Sequence, residues 1–105
     1  MSYIIIFTTT PDKESAQKIA DKLLEKNLAA CIGFASVFSN YKWHGRICKE
    51  EEIELHIKTK AKNYKKVEKL VKSLHSYETP QIIAVKIARG FDGYLKWIDK
   101  TLKAD

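Results

Sequence analysis

The sequence predicts an α+β protein with elements in the order β-α-β-β-α-β, followed by one further helix. Four segments have the apolar content or alternation of strands, and three have apolar residues at helical spacing. Only four glycines and two prolines occur in 105 residues, which favours long elements joined by short loops. This order is that of a ferredoxin-like βαββαβ sandwich with an extra C-terminal helix. The length predicts one domain over residues 1–105.

The first strand and helix are predicted between residue 3 and about residue 27. Residues 3–9 are rich in β-branched and aromatic side chains, which is typical of a strand. We expect Thr10 to cap the helix, Pro11 to occupy its first position and Asp12 to favour the positive end of its dipole. The helix is expected to end near Asn27. Its core-facing stripe is Ala16, Ile19, Ala20, Leu23 and Leu24.

Residues 29–60 are predicted to form a hairpin of two long strands around a turn at His44-Gly45. Facing residues then have numbers that sum to about 89, which places Cys31 opposite Lys58. The same register puts Cys48 near the turn, ~30 Å from Cys31 at about 3.3 Å per residue. That separation excludes an intrachain disulfide and agrees with a reducing compartment.

The second half of the chain is predicted to contain a helix, a strand and a terminal helix. Pro80 stops the first helix, and residues 81–87 read as the fourth strand. The inner face of the first helix is expected to carry Tyr64, Val67, Leu70, Val71 and Leu74. The terminal helix is marked by Tyr94, Trp97, Ile98 and Thr101.

Three predicted strands, the first, second and fourth, are apolar in both alternating phases. Both main helices of this fold cover one sheet face, so the apolar residues of the other face need a second cover. An exposed apolar sheet face of that size is not tolerated by soluble monomers. We therefore expect other copies of the chain to cover it.

Charge and hydropathy narrow the expected partners. The net charge is +6, but the lysines lie in helical stripes that are typical of solvated faces, and no nucleic-acid motif is present. We therefore expect no nucleic-acid partner. No segment approaches the ~18 apolar residues of a membrane span, and Tyr3 opens a strand without a basic leader. These features predict a cytoplasmic protein that does not enter a membrane.

Four short segments in fixed order resemble those of a known family. They are Thr8-Thr9-Thr10-Pro11-Asp12, Leu28-Ala29-Ala30-Cys31, Tyr41-Lys42-Trp43-His44-Gly45 and His75-Ser76-Tyr77-Glu78-Thr79-Pro80. Together they resemble the CutA family of divalent-cation tolerance proteins. The resemblance implies a non-enzymatic homotrimer, similar to the trimers of PII signalling proteins, that binds copper or another divalent ion.

The same resemblance implies a metal role for His75 and for Cys31. Imidazole and thiolate are both ligands of copper and zinc. The sequence departs from some family members at two positions. Thr8 stands where a Cys can occur, and Leu74 stands where a second His can occur. Both changes remove candidate metal ligands. Gln81 replaces the usual Glu. We therefore expect modest copper binding that depends more on His75 than on Cys48.

Other interpretations of these residues remain open. Cys31 can instead be a small buried hydrophobe, and His75 can instead complement the dipole at a helix end. The glutamates at 50, 52 and 54 are interpreted as a solvated strand edge. A cleft between subunits is predicted to contain Tyr41, Trp43, Lys58 and Tyr77. The alternative function is therefore a PII-like sensor or adaptor that binds a small anionic metabolite there.

Overall fold

The computed structural model describes residues 2–103 and contains a four-stranded antiparallel sheet in the order β2-β3-β1-β4. The two main helices and a third helix complete the α+β fold, which confirms the predicted class and order of elements. The elements are β1 (Tyr3–Thr10), α1 (Lys13–Glu25), β2 (Cys31–Trp43), β3 (Arg46–Lys60), a 3₁₀ turn (Ala61–Asn63), α2 (Tyr64–Leu74), β4 (Ile83–Lys86) and α3 (Asp92–Lys103).

Helix α1 begins two residues later than expected. The side chain of Asp12 caps it by accepting a hydrogen bond of 2.8 Å from the Ser15 N–H. The predicted cap, Thr10, instead donates its hydroxyl to the carbonyl of Asp12 at 2.8 Å. The backbone of Asp12 has the extended geometry of an N-cap residue, with φ of −153° and ψ of 170°, and its carboxylate also favours the positive end of the helix dipole. Asn27, with φ of 56°, ends the helical turn in the left-handed region, as asparagine often does.

The hairpin has the predicted register without a bulge. Cys31 faces Lys58, and Tyr41 faces Cys48. His44 and Gly45 form the two-residue turn, with φ of 50° and 75° respectively, the left-handed values that a tight hairpin requires. The cysteines are both free and lie about 30 Å apart along the strands.

The hydrophobic core lies between one sheet face and the helices α1 and α2. The predicted helical stripes supply half of its buried residues, but Leu24 and Leu74 are 43% and 42% exposed and do not belong to it. Both lie in the last turn of their helices. The buried cluster is Ile4, Ile6, Ala16, Ile19, Leu23, Ala29, Leu55, Ile57, Val67 and Val71.

The opposite sheet face is partly covered by the chain itself, and the expectation that other copies of the chain cover it stays a prediction for the part left open. Helix α3 packs there, with Ile98 fully buried. Asp99 fixes the helix by accepting a hydrogen bond of 2.8 Å from the Tyr3 hydroxyl and pairing with Lys60 at 2.9 Å. Sequence periodicity could not reveal this contact, because it depends on how the chain turns after β4.

The hairpin projects beyond the rest of the sheet. Strand β1 pairs only with residues 53–60 of β3, so residues 46–52 pair with β2 alone. We call residues 37–52 the hairpin arm. It exposes Phe38 and Ile47, which are 75% and 70% accessible. A two-stranded ribbon has little stability of its own, so the arm benefits from any surface that packs against it.

Candidate binding cleft

A cleft of about 730 Å³ lies where the hairpin arm meets the segment 75–81 between α2 and β4. It contains three of the four residues predicted for a cleft, namely Tyr41, Trp43 and Tyr77. These residues already line a cleft within one chain, and the expectation that a neighbouring subunit forms part of it stays a prediction. Its wall also carries the carboxylates of Glu50, Glu52 and Glu78.

A hydrogen bond between Tyr77 and Glu52 closes the inner end of the cleft. The Tyr77 hydroxyl donates to Glu52 Oε2 at 2.6 Å, and Glu52 is only 6% exposed. Burial, followed by the bond to Glu52, raises the pKa of Tyr77 well above its ordinary value. The interpretation of this glutamate as part of a solvated edge is wrong, because the 75–81 segment folds over it.

A second pair, Tyr41 and Glu50, lies on the outer wall. The Tyr41 hydroxyl donates to Glu50, and this bond, more than desolvation, raises the pKa of Tyr41 to about 12. Beside it, the Trp43 ring packs edge-on against His44 with centroids 4.9 Å apart. Trp43 is 41% exposed, so part of its indole is open to a ligand.

The sequence analysis did not predict these tyrosine–glutamate pairs, although the hairpin register indicates that Tyr41 and Glu50 lie close together. Glu50 faces Ser39, which has the same side-chain direction as Tyr41 two residues away. A long tyrosine and a long carboxylate therefore meet diagonally across the ribbon. The contact between Tyr77 and Glu52 had no such signal, because it joins a loop to a strand.

His75 connects the 75–81 segment to the end of β1. Its Nδ1 accepts a hydrogen bond of 3.2 Å from the Tyr77 N–H, so the ring proton lies on Nε2. Nε2 then donates to the Thr9 carbonyl at 2.7 Å. The His75 and Tyr77 rings also contact each other, with centroids 4.8 Å apart. Both ring nitrogens therefore have backbone partners.

Cys31 and Lys58 lie together beneath α3, away from the cleft. Tyr94 is a neighbour of Cys31, and burial, followed by the electrostatic influence of Cys31, raises the pKa of Tyr94. Lys58 Nζ lies 5.9 Å from the centre of the Tyr94 ring. Lys58 does not line the cleft of the single chain, because its side chain lies on the sheet face that α3 covers. Its placement in a cleft between subunits stays a prediction.

Within one chain, His75 and Cys31 are too far apart to bind one ion. Cys31 faces Lys58, which faces Ile5, whereas His75 contacts Thr9. Four residues of β1 correspond to about 13 Å, and β2 and β1 are also separated by β3. Over residues 2–103, no three or more His, Cys, Asp and Glu side chains are grouped closely enough to hold a metal ion. The donors suit copper chemically, but a single chain does not assemble them, and their metal role stays a prediction.

The described helices include none that is both long and apolar enough to cross a membrane.

The fold and the cleft define a ferredoxin-like α+β protein with a projecting hairpin and an aromatic, acidic cleft at its base. Comparison with known proteins identifies the family. The model of the CutA1 divalent ion tolerance protein family matches residues 4–101. The chain therefore belongs to this family, which confirms the resemblance found in its four segments.

Individual relatives agree with this assignment. The divalent-cation tolerance protein CutA of Archaeoglobus fulgidus is 41% identical over 98 residues, covering 93% of this chain and 96% of the relative. The structure of the periplasmic divalent cation tolerance protein CutA from the same organism has a TM-score of 0.94, with 96% and 99% of the two chains covered at 40% identity. The crystal structure of CutA from Xylella fastidiosa has a TM-score of 0.93, covering 98% and 100% of the chains at 36% identity.

Proposed function

We propose that this protein contributes to divalent-cation tolerance in the manner of its family, without catalysing a reaction. The observation that carries the proposal is the family match over residues 4–101. Relatives named divalent-cation tolerance protein CutA, which align over nearly the whole chain, add further support.

A complementation experiment tests this proposal. The gene is expressed in a bacterium that lacks its own CutA-type gene, and growth is followed at increasing copper(II) concentrations. We expect the protein to restore growth. Expression of the Cys48→Ser variant serves as a control, because Cys48 lies at the hairpin turn, away from His75. Growth no better than with an empty vector would refute the tolerance function.

The proposed assembly is a homotrimer. Its support is the apolar surface that the single chain leaves open, on the hairpin arm at Phe38 and Ile47 and on the edge strand at Ile83 and Val85. Edge strands and exposed apolar ribbons are the surfaces that subunit contacts usually cover. Light scattering should give a mass near three times 12.1 kDa. A folded species at the single-chain mass would exclude this assembly.

Copper is the ion proposed for testing, with His75 and Cys31 as its candidate ligands. Copper at His75 must displace the Thr9 carbonyl or the Tyr77 N–H, each of which is a hydrogen bond worth about 0.5–1.5 kcal/mol net. Copper must compete with these hydrogen bonds, and His75 lies far from Cys31. Both facts favour weak copper binding in which each chain supplies either His75 or Cys31 as a ligand, not both.

We also propose a cytoplasmic location. The support is the state of the cysteines, which are both free and lie at opposite ends of the hairpin. They cannot form a disulfide within one chain, and free thiols are typical of a reducing compartment. Cell fractionation with a periplasmic marker tests it, and recovery of the protein with that marker would refute it.

The alternative of an anion-binding sensor receives less support. Three carboxylates line the cleft, and neither Lys58 nor Arg46 does. A small organic anion would meet negative charge there at close range.

A further inference from the structure

We propose that the outer face of helix α2 binds a linear inorganic polyphosphate through a row of lysines. This row, which we call the α2 lysine face, consists of Lys62, Lys65, Lys66, Lys69 and Lys72. Lys62 lies in the 3₁₀ turn that leads into the helix, and the other four lie on the helix itself. Polyphosphate binding here does not depend on the proposed role in metal tolerance.

The lysines point away from the hydrophobic core. At about 100° per residue, the four helical lysines fall within a stripe about 120° wide. Val67 and Val71, which are buried, lie on the opposite side. All five lysines are exposed, and the row from Lys62 to Lys72 is about 15 Å long. The helix therefore presents a narrow, linear array of positive charge.

The charge of this face is not balanced, in contrast to that of α1. Helix α1 contains three Lys, two Glu and one Asp, as is typical of a solvated face. Residues 61–74 contain five Lys and one Glu. That glutamate, Glu68, accepts a hydrogen bond of 2.9 Å from the Tyr64 hydroxyl. In the described part of the chain, no carboxylate lies within ion-pair distance of the α2 lysine face.

This arrangement opposes the formation of the helix itself. Lys65 lies four residues before Lys69, and Lys66 and Lys72 each lie three residues from it, so that like charges are neighbours on the surface. The first turn of α2 contains no acidic residue that would offset lysines near the positive end of the helix dipole. A polyanion bound along the face would relieve these repulsions.

The composition of the face selects the class of polyanion. Every fully exposed residue from 62 to 72 is a lysine, so the face offers charge without arginine, aromatic or apolar contacts. Single-stranded nucleic acids are bound through aromatic rings that stack on their bases, and base edges are read by arginine forks. A flat anionic membrane would also meet the carboxylates of α1, which packs beside α2. A chain of phosphates needs only a row of cations.

The α2 lysine face lies apart from the surfaces proposed for subunit contacts. Those contacts involve the hairpin arm and the edge strand β4, where large apolar side chains are exposed. Helix α2 covers the core side of the sheet and turns its lysines outward. Lysine is also depleted at the centres of protein interfaces. We therefore expect the face to stay open when chains assemble.

Calorimetric titration with medium-chain polyphosphate tests the proposal. Two triple variants remove the same charge from exposed positions of different helices. The α2 variant carries Lys65→Gln, Lys69→Gln and Lys72→Gln. The α1 variant carries Lys18→Gln, Lys22→Gln and Lys26→Gln. We expect the wild type to bind, the α2 variant to bind about tenfold more weakly or worse, and the α1 variant to stay within about threefold of the wild type.

Salt dependence gives a second readout. For five lysine contacts with the slope of single-stranded polyanions, a rise from about 50 to about 200 mM NaCl should weaken binding about a hundredfold. The two lysines left in the α2 variant should give a loss of only about sevenfold. Removing repelling charges should leave the melting temperature of the α2 variant at or above that of the wild type. A lower melting temperature would contradict the uncompensated charge on which the proposal depends.

Three other polyanions, compared at equal charge, test the choice of ligand. They are a single-stranded DNA oligonucleotide, poly-glutamate and vesicles of phosphatidylcholine with phosphatidylserine. We expect polyphosphate to bind more tightly than each of them. Tighter binding of any of the three would overturn the assignment to polyphosphate. Equal losses in the α1 and α2 variants would reduce the effect to general charge and overturn the site, as would the absence of polyphosphate binding.

Discussion

Replacing Tyr77 by phenylalanine tests how the 75–81 segment is held over the cleft. The change deletes the hydroxyl that donates to Glu52 at 2.6 Å and leaves the ring in place. Glu52 is 6% exposed, so water replaces the lost donor poorly. A hydrogen bond to a charged group contributes about 1.5–3 kcal/mol, and we expect the free energy of unfolding to fall by about 2 kcal/mol.

Urea unfolding, followed by circular dichroism at a fixed chain concentration, measures this loss. With a slope of about 2 kcal/mol per molar urea, the midpoint should fall by about 1 M. Tyr41→Phe is the matched control, because it deletes the same group from the pair that Tyr41 makes with Glu50 on the exposed arm. Its midpoint should change much less.

A double-mutant cycle with Glu52→Gln shows whether the two side chains act together. Their coupling energy should lie between about 0.5 and 3 kcal/mol, as for residues in direct contact. The reasoning is refuted if Tyr77→Phe unfolds at the wild-type midpoint, or if Tyr41→Phe costs as much.

The remaining predictions concern tyrosine ionisation, helix α3 and copper. The pKa of every one of the five tyrosines is raised above 10, that of Tyr41 to about 12. The stability they contribute is complete below pH 10 and is lost as pH rises through the folded-state values. Absorbance titration at 295 nm of the folded protein should therefore give midpoints above pH 10, and a normal midpoint near 10 would contradict this. Asp99→Asn should lower the melting temperature, because Lys60 is 4% exposed and would lose its partner. Asp92→Asn, which breaks an exposed pair on the same helix, should leave it nearly unchanged, and equal effects would refute the difference. Copper titration under anaerobic conditions should show about tenfold weaker binding in His75→Ala and little change in Cys48→Ser; wild-type affinity in His75→Ala would remove His75 from the site.

Local pattern was sufficient for most of the fold. The apolar stripe of α1 and the strict alternation at Ile53, Leu55 and Ile57 determine which faces are buried, because helix and strand periods differ. The two-residue turn at His44-Gly45 fixes the whole hairpin register, since each later pair follows from the first. The cap at Asp12 was missed because Thr10 and Asp12 are both good capping residues and only the backbone geometry distinguishes them.

The cleft was only partly predictable. Large aromatics beside turns indicated Tyr41, Trp43 and Tyr77, and the single chain brings these three side chains together in one cleft. Lys58 lies apart from these three residues in the single chain, because its surroundings depend on α3, which returns across the sheet from the far end of the chain. The second partner of His75, the Thr9 carbonyl, lies 66 residues away and no spacing rule connects them.

The sequence by itself thus determined the elements, their order, the hairpin register and the family. These properties are encoded by neighbouring residues or by short motifs. The tertiary structure alone decided that α3 covers part of the second sheet face, that Glu52 is buried beneath Tyr77, and that both nitrogens of His75 bind backbone groups. Each of these depends on contacts between residues distant in the chain, whose energies appear only once packing has brought them together.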